Sequence, residues 1–267
     1  MGSDELRRRV EALEWYHSIE LAPGLVTPGW FDTRSVLRRL VFPDDLSGRR
    51  CLDVGTFDGF WAFEMERRGA SVVLAIDVID PNQWDWPRNT QPKTVREIAT
   101  MKGRGEGFEI AANALGSGVK RLERNVYDLD PDEVGTFDFV YVGSLLLHLR
   151  DPVRAVDAIR SVCRGSALFV DAVDLELSWL FRRRPVARFD GDGRPWWWRP
   201  NVAALVKYLH SASFEVVEGP IRFFMTRGKG QPLGRPSSRL LASPTGREAW
   251  LTWWRGDPHA AVLARPA

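Results

Sequence analysis

The chain has 267 residues, with 44% hydrophobic and 27% charged side chains and a formal net charge of +2. That length suits one large α/β domain with additions, and the near-neutral balance gives no electrostatic case for nucleic acid or a membrane surface as partner. No apolar run approaches the ~20 residues that span a bilayer. The polar stretch from Met1 to Glu11 is unlike a secretory signal, and Cys51 and Cys163 make no disulfide framework. A cytoplasmic protein is expected.

Asp4 is placed to cap a first helix over residues 5–17. A Pro/Gly-punctuated link follows, and Asp32 is placed to cap a second helix reaching residue 40. The first strand is predicted over 50–54. A helix over 59–68 closes at Gly69, and the second strand is 72–77. Residues 80–103 read as a long polar link carrying Trp84 and Trp86. A helix over 108–115 ends at Gly116, and the third strand is 120–126. The fourth, 137–142, is apolar on both faces, as a central parallel strand should be. Asp151 caps a helix over 152–163, and the fifth strand is 167–170. An insertion over 171–199 holds Arg182-Arg183-Arg184 and Trp196-Trp197-Trp198. Asn201 caps a helix to residue 210. Residues 214–218 and 221–226 make the sixth strand, and 249–254 the last. The Gly/Pro/Ser/Arg-rich stretch 227–245 reads as an exposed, mobile loop. This β-α alternation predicts a doubly wound, mostly parallel, seven-stranded Rossmann-like sheet with its ligand at the carboxyl ends of the strands. Residues 1–46 are expected to form a helical lid over a domain spanning 47–267.

The chemistry concentrates at Cys51-Leu52-Asp53-Val54-Gly55-Thr56-Phe57-Asp58-Gly59. Gly55 permits a tight turn at a strand end, and Gly59 permits close backbone approach. Asp77, at the tip of the next strand, can accept hydrogen bonds from two ribose hydroxyls. The spacing is G-x-x-x-G rather than the G-x-G-x-x-G of dinucleotide sites. Phe57 is too bulky for a pyrophosphate contact, and Asp53 repels phosphate but suits an ammonium group. The charge logic favours S-adenosylmethionine over NAD.

These motifs resemble those of class I S-adenosylmethionine-dependent methyltransferases. Residues 53–59 match the family's first motif, Asp77 its ribose acid, Tyr127-Asp128 the place where the adenine is held, and residues 137–140 with 143–148 the fourth strand and its loop. The resemblance implies cofactor contacts from Asp53, Gly55, Phe57, Gly59, Asp77, Tyr127, Asp128 and Gly143, and S-adenosylhomocysteine as product. More narrowly, Trp15-Tyr16-His17, residues 26–29 and residues 145–152 are similar to tRNA-uridine carboxymethyltransferases and their methyltransferase relatives. In the tRNA enzymes a tyrosine in the loop after strand four helps bind the carboxylate of carboxy-S-adenosylmethionine. Leu147 stands there in this chain and cannot donate a hydrogen bond, so ordinary S-adenosylmethionine is expected. The chain is also expected to be shorter at its N-terminus than the tRNA enzymes.

His148, at the tip of strand four, and His17, on the expected lid, are the candidates for a catalytic base. His210 and His259 are expected to be structural or exposed. Tyr16, Trp84, Trp86, Trp196, Trp197 and Trp198 are candidates for the acceptor pocket. The arginine triplets at 7–9 and 182–184 read as solvated faces. Asp171 and Asp174 lack a third ligand, so no metal is expected. The reading is methyl transfer to oxygen or nitrogen of a small molecule, a secondary metabolite or glycoside. Its alternatives are a tRNA-modifying transferase and a cofactor-binding protein without turnover.

Overall fold

The structure is a computed structural model that describes residues 2–191, 193–231, 234 and 236–267. Seven strands form the central sheet: β1 Arg50–Val54, β2 Val72–Asp77, β3 Lys120–Glu123, β4 Phe137–Gly143, β5 Cys163–Ala172, β6 Phe214–Met225 and β7 Asp257–Pro266. Their order is β6-β7-β5-β4-β1-β2-β3. β1 to β5 pair in parallel, whereas β7 runs antiparallel to both β5 and β6. The reversal at β1 and β4 creates the crevice in which open α/β sheets bind ligands.

Strand alternation sends side chains to two cores. Phe139 and Tyr141 of β4 point to one face, with Cys51, Trp61, Met65 and Phe108. Val140 and Val142 point to the other, with Leu52, Val54, Val156 and Ile159. Helices Phe60–Arg67 and Glu106–Leu115 cover the first face, and helices Pro152–Val162 and Val202–Ser211 the second. Asp151 and Asn201 cap the latter two through their side chains, accepting from Arg154 and Ala204 N–H, which is the local reason those helices start where they do.

Five expectations need correction. The second helix is only Arg34–Leu37, with Thr33 rather than Asp32 at its N-cap position and no side-chain cap. The first helix is Ser3–Glu11 and Asp4 lies inside it. Trp15–His17 is instead a strand, parallel to Gly29–Phe31, so the segment expected as a helical lid is largely irregular chain and short ribbons. A Cβ on Gly29 would lie 2.2 Å from the His17 carbonyl carbon, so the two strands approach as only glycine allows. Residues 80–103 are not an unstructured link, because a helix spans Pro92–Lys102. Residues 249–254 belong to the helix Pro244–Arg255, capped by Ser243. Trp250, Trp253 and Trp254 recur at helical spacing there, and the last strand is β7. Residues 232, 233 and 235 of the expected mobile loop lie outside the described residues; Ser238–Ala242 within it forms a 3-10 helix.

Candidate active site

The turn after β1 is tied to the tip of β2. Gly55 has φ +79° and Phe57 φ +53°, and the N–H groups of Gly55 and Thr56 both donate to Ile76 O, at 2.9 and 3.1 Å. Asp77 accepts from Phe57 N–H at 2.9 Å, from Val78 N–H at 2.8 Å and from Lys102 Nζ at 2.5 Å. A bulky residue in the left-handed region is costly and persists where its surroundings fix it. Here the fixing contacts are the Asp77 bond and the Phe57 ring stacked on Tyr16, 4.6 Å between centroids. Asp53 lies beneath this turn, buried, with Oδ2 lacking a hydrogen-bond partner among the described residues. Burial pushes its carboxyl up to about 7.

The loop after β4 is held from below by Asp171. Its carboxylate accepts from Leu145, Leu146 and Ala172 N–H at 3.1, 2.7 and 2.8 Å. Ser144 opens this loop with φ +48°. Its N–H donates to Val170 O, and its Oγ lies 3.0 Å from Nε2 of His259. The other ring nitrogen of His259 faces Asp257 O at 2.9 Å. A carbonyl only accepts, so Nδ1 carries the hydrogen and Nε2 accepts from the serine hydroxyl. Burial lowers this imidazole to about 4, so it is neutral at neutral pH. His148 is arranged likewise. Its Nδ1–H donates to Pro195 O at 2.6 Å, and desolvation lowers it to about 4.

One cavity of about 660 Å³ runs along the carboxyl edge of the sheet. Its floor is the turn and strand tips, with Gly55, Asp77, Asn125, Gly143 and Ser144. Tyr16, Trp86, His148 and Trp196 also line it. Beyond β5 it is walled by Trp30, Phe31, Trp253, Asp257 and His259. Of the residues singled out from sequence, Tyr16, Phe57, Trp84, Trp86, His148 and Trp196 line it, as do Gly55, Asp77 and Gly143.

The others lie elsewhere. His17 is buried with Nδ1 against Asp58, which also accepts from the backbone N–H groups of Tyr16 and His17. Gly59 starts the Phe60–Arg67 helix and packs on Phe63 and Phe108. Tyr127 donates its hydroxyl to Asp85 at 2.7 Å, and Asp128 is exposed. The indoles of Trp197 and Trp198 donate to Asp85 O and Arg150 O. Asp174 caps the helix Leu175–Leu180 and pairs with Arg188.

Sequence reasoning missed Ser144, Asp257, His259, Lys102 and Trp253. His259 was expected to be structural or exposed. It is buried and faces the cavity because an antiparallel β7 brings its first residues to the carboxyl edge, with His259 opposite Ala172. The short apolar run Ala260-Ala261-Val262-Leu263-Ala264 behind His259 was the available signal of a buried strand.

A profile described as a methyltransferase domain matches residues 32–218. The chain belongs to the methyltransferase-domain family. Among curated relatives, tRNA U34 carboxymethyltransferase of Idiomarina loihiensis is 26% identical over 173 residues, 64% of this chain and 47% of the relative. That of Azotobacter vinelandii is 29% identical over 171 residues, 64% and 46%. This methyltransferase thus spans about half the length of the curated relatives it matches. Among solved structures, the N-terminal domain of EvdMO1 with S-adenosylhomocysteine bound has a TM-score of 0.55 at 17% identity, covering 100% of this chain and 98% of that one. Magnesium protoporphyrin IX methyltransferase of Synechocystis PCC 6803 gives 0.51 at 16%, covering 88% and 82%. The [4+2]-cyclase SpnF gives 0.51 at 19%, covering 88% and 80%. These likenesses show a shared fold.

The residues fit S-adenosylmethionine, the methyl donor that membership in the family implies. The orphaned Asp53 Oδ2 lies under the turn, Asp77 stands at the β2 tip, and the charged side chains lining the cavity nearby are Asp77, Asp85, Lys102 and Arg124.

Proposed function

We propose that this methyltransferase moves the methyl group of S-adenosylmethionine to an oxygen or nitrogen of a small, ring-bearing acceptor such as a secondary metabolite or glycoside. The observation that carries this reading is the continuity of the cavity. It runs from Asp77 and Gly55, past Gly143, to walls made by Trp30, Trp253 and Trp196. A scaffold that only held the cofactor would need no such chamber beside the reacting group.

Bound, the cofactor supplies an electrophilic methyl on a sulfonium, which leaves as a neutral thioether when the methyl is displaced. Asp77 would hold the ribose hydroxyls, Asp53 the ammonium, and the backbone around Gly55 and Gly143 the chain between them. Tyr16 and Phe57, stacked on each other at the cavity wall, would shield the site from water and align acceptor with methyl, which supplies much of the acceleration in such a displacement. Aromatic faces there also favour the cationic donor over the neutral product.

The test is calorimetric titration with S-adenosylhomocysteine, followed by acceptor screening with hydroxylated aromatics and sugars. Saturable one-to-one binding, weakened tenfold or more in Asp77→Ala (about 1.4 kcal/mol), supports the reading. Unchanged affinity in that variant sinks the ribose assignment. The likeness to tRNA U34 carboxymethyltransferases favours a second reading, modification of tRNA. A gel shift with bulk tRNA that persists at moderate salt would support it.

A further inference from the structure

We propose that Ser144 and His259 form the catalytic base of this site, and that the acceptor is therefore a hydroxyl on a ring-bearing molecule rather than an amine. The inference rests on the methyltransferase reading above. Both side chains line the cavity, and Ser144 Oγ stands 3.0 Å from His259 Nε2. Asp257 O fixes the tautomer by taking the Nδ1 hydrogen, so the basic nitrogen is the one turned to the serine and the cavity. A serine forced into the left-handed region at a strand tip is the kind of strain that functional sites retain.

An amine acceptor can reach the methyl as its free base, whereas an alcohol or phenol has to give up a proton as the bond forms. In the step proposed, the acceptor oxygen bonds to the methyl carbon as the carbon–sulfur bond breaks and its electron pair stays on sulfur. The acceptor's proton passes to Ser144 Oγ while the serine's own proton passes to His259 Nε2. The positive charge that began on sulfur ends on the imidazolium, which later releases its proton to water.

Hydrogen bonding selects His259 over His148: Nε2 of His259 meets the Ser144 hydroxyl in the cavity, whereas the bond His148 makes runs from Nδ1 to Pro195 O. Burial disfavours the imidazolium of His259, as do Arg39, Arg222 and Arg255, which line a small cavity with it, so the proton it takes up is readily released. Asp257 is half-buried, lines the cavity and accepts no hydrogen bond through its carboxylate among the described residues. It is available to a second hydroxyl of the acceptor, with the rings of Trp30 and Trp253 for the acceptor's faces.

The experiment uses the full chain as wild type, Ser144→Ala and His259→Gln. Calorimetry with S-adenosylhomocysteine comes first. No binding to wild type overturns the methyltransferase reading itself, whereas equal affinity in all three isolates the dyad. Transfer of labelled methyl from S-adenosylmethionine is then measured to a panel of ring alcohols, phenols and matched amines that includes phenol and 4-nitrophenol. The expected result is methylation of hydroxyl members by wild type. For phenol, kcat/KM falls about 100-fold or more in His259→Gln. The loss is far smaller for 4-nitrophenol, which ionises without help near neutral pH. Equal losses on both phenols, wild-type rates in His259→Gln, transfer to amines alone, or a silent panel with a wild type that binds cofactor product each overturn the proposal. A readout free of turnover is the ring ¹⁵N spectrum of His259 in the cofactor-free protein. An unprotonated Nε2 whose shift moves in Ser144→Ala is expected, and a protonated Nε2 overturns the assignment.

Discussion

The carboxylate of Asp58, inside the glycine turn, clasps His17: one oxygen meets the imidazole Nδ1, and the other accepts the backbone N–H groups of Tyr16 and His17 at 2.8 and 2.9 Å. The acid that looks like part of a ligand motif thus fastens the N-terminal ribbon beside the site, and Tyr16 lines the cavity because of it. Asp58→Ala strands two buried backbone donors and a ring nitrogen. We expect a loss of about 3 kcal/mol in urea unfolding, together with weaker binding of S-adenosylhomocysteine. A change below 1 kcal/mol would show that the ribbon is held by its other contacts.

Ser144 offers a trade between stability and chemistry. An L-residue in the left-handed region costs roughly 1–2 kcal/mol, and glycine removes that cost while losing some chain entropy. Ser144→Gly should therefore melt at or above the wild-type temperature while methyl transfer to hydroxyl acceptors falls. A clear drop in melting temperature would mean that the bond to His259 outweighs the backbone strain.

Asp53 makes cofactor affinity depend on pH. Its carboxyl is raised by burial to about 7, above its ordinary value near 4. In the free protein the folded state holds this proton between about pH 4 and 7. That contribution to stability is present below pH 4 and fades as pH rises through 7. An ammonium ligand needs the ionised form, so the linkage has the opposite sign for binding. Affinity for S-adenosylhomocysteine should fall about tenfold per unit below pH 7 and level off above it, until an α-amino group itself titrates near 8. Asp53→Asn should bind more weakly at pH 7.5 and show no such slope. Calorimetry from pH 5.5 to 8 checks it.

Lys102 rests on the acid that a ribose would need. Its ammonium lies 2.5 Å from Asp77 Oδ1 and 3.1 Å from Val78 O, over the rings of Phe57 and Trp84. With Phe57 and Val78 N–H, three of the roughly four acceptor positions of the carboxylate are taken, and a ribose diol asks for two. Lys102→Met should tighten binding by about three- to tenfold, and more for the sulfonium than for the neutral thioether. Weaker binding in that variant would instead make Lys102 part of the cofactor site.

Much of the sheet was legible, because a parallel strand buried on both faces leaves an uninterrupted apolar run and a glycine turn marks its end. β2 falls on residues 72–77 as read, and the Asp151 and Asn201 caps lie where the residue types placed them. What failed was the periphery. Trp15–His17 continues a helical pattern in sequence and is a strand only because Gly29 lets a distant segment pack against it. Trp250, Trp253 and Trp254 are strong strand formers by type, yet their spacing belongs to a helix. The first four strand tips were readable in the site, but the pairing of Ser144 with His259 joins residues 115 apart in sequence. No local pattern carries that pairing; it exists only once strand order is known.

That order has a consequence for how the site is built. The donor half of the cavity is built by β1, β2 and β4, which come early in the chain and pair in parallel. His259 arrives with β7, which slides between β5 and β6 and pairs antiparallel with both. A sheet that lacked this strand, or held it one residue out of register, would turn the imidazole to the other face. The carboxyl edge that faces the cofactor and the imidazole proposed as base therefore depend on different strands of one sheet.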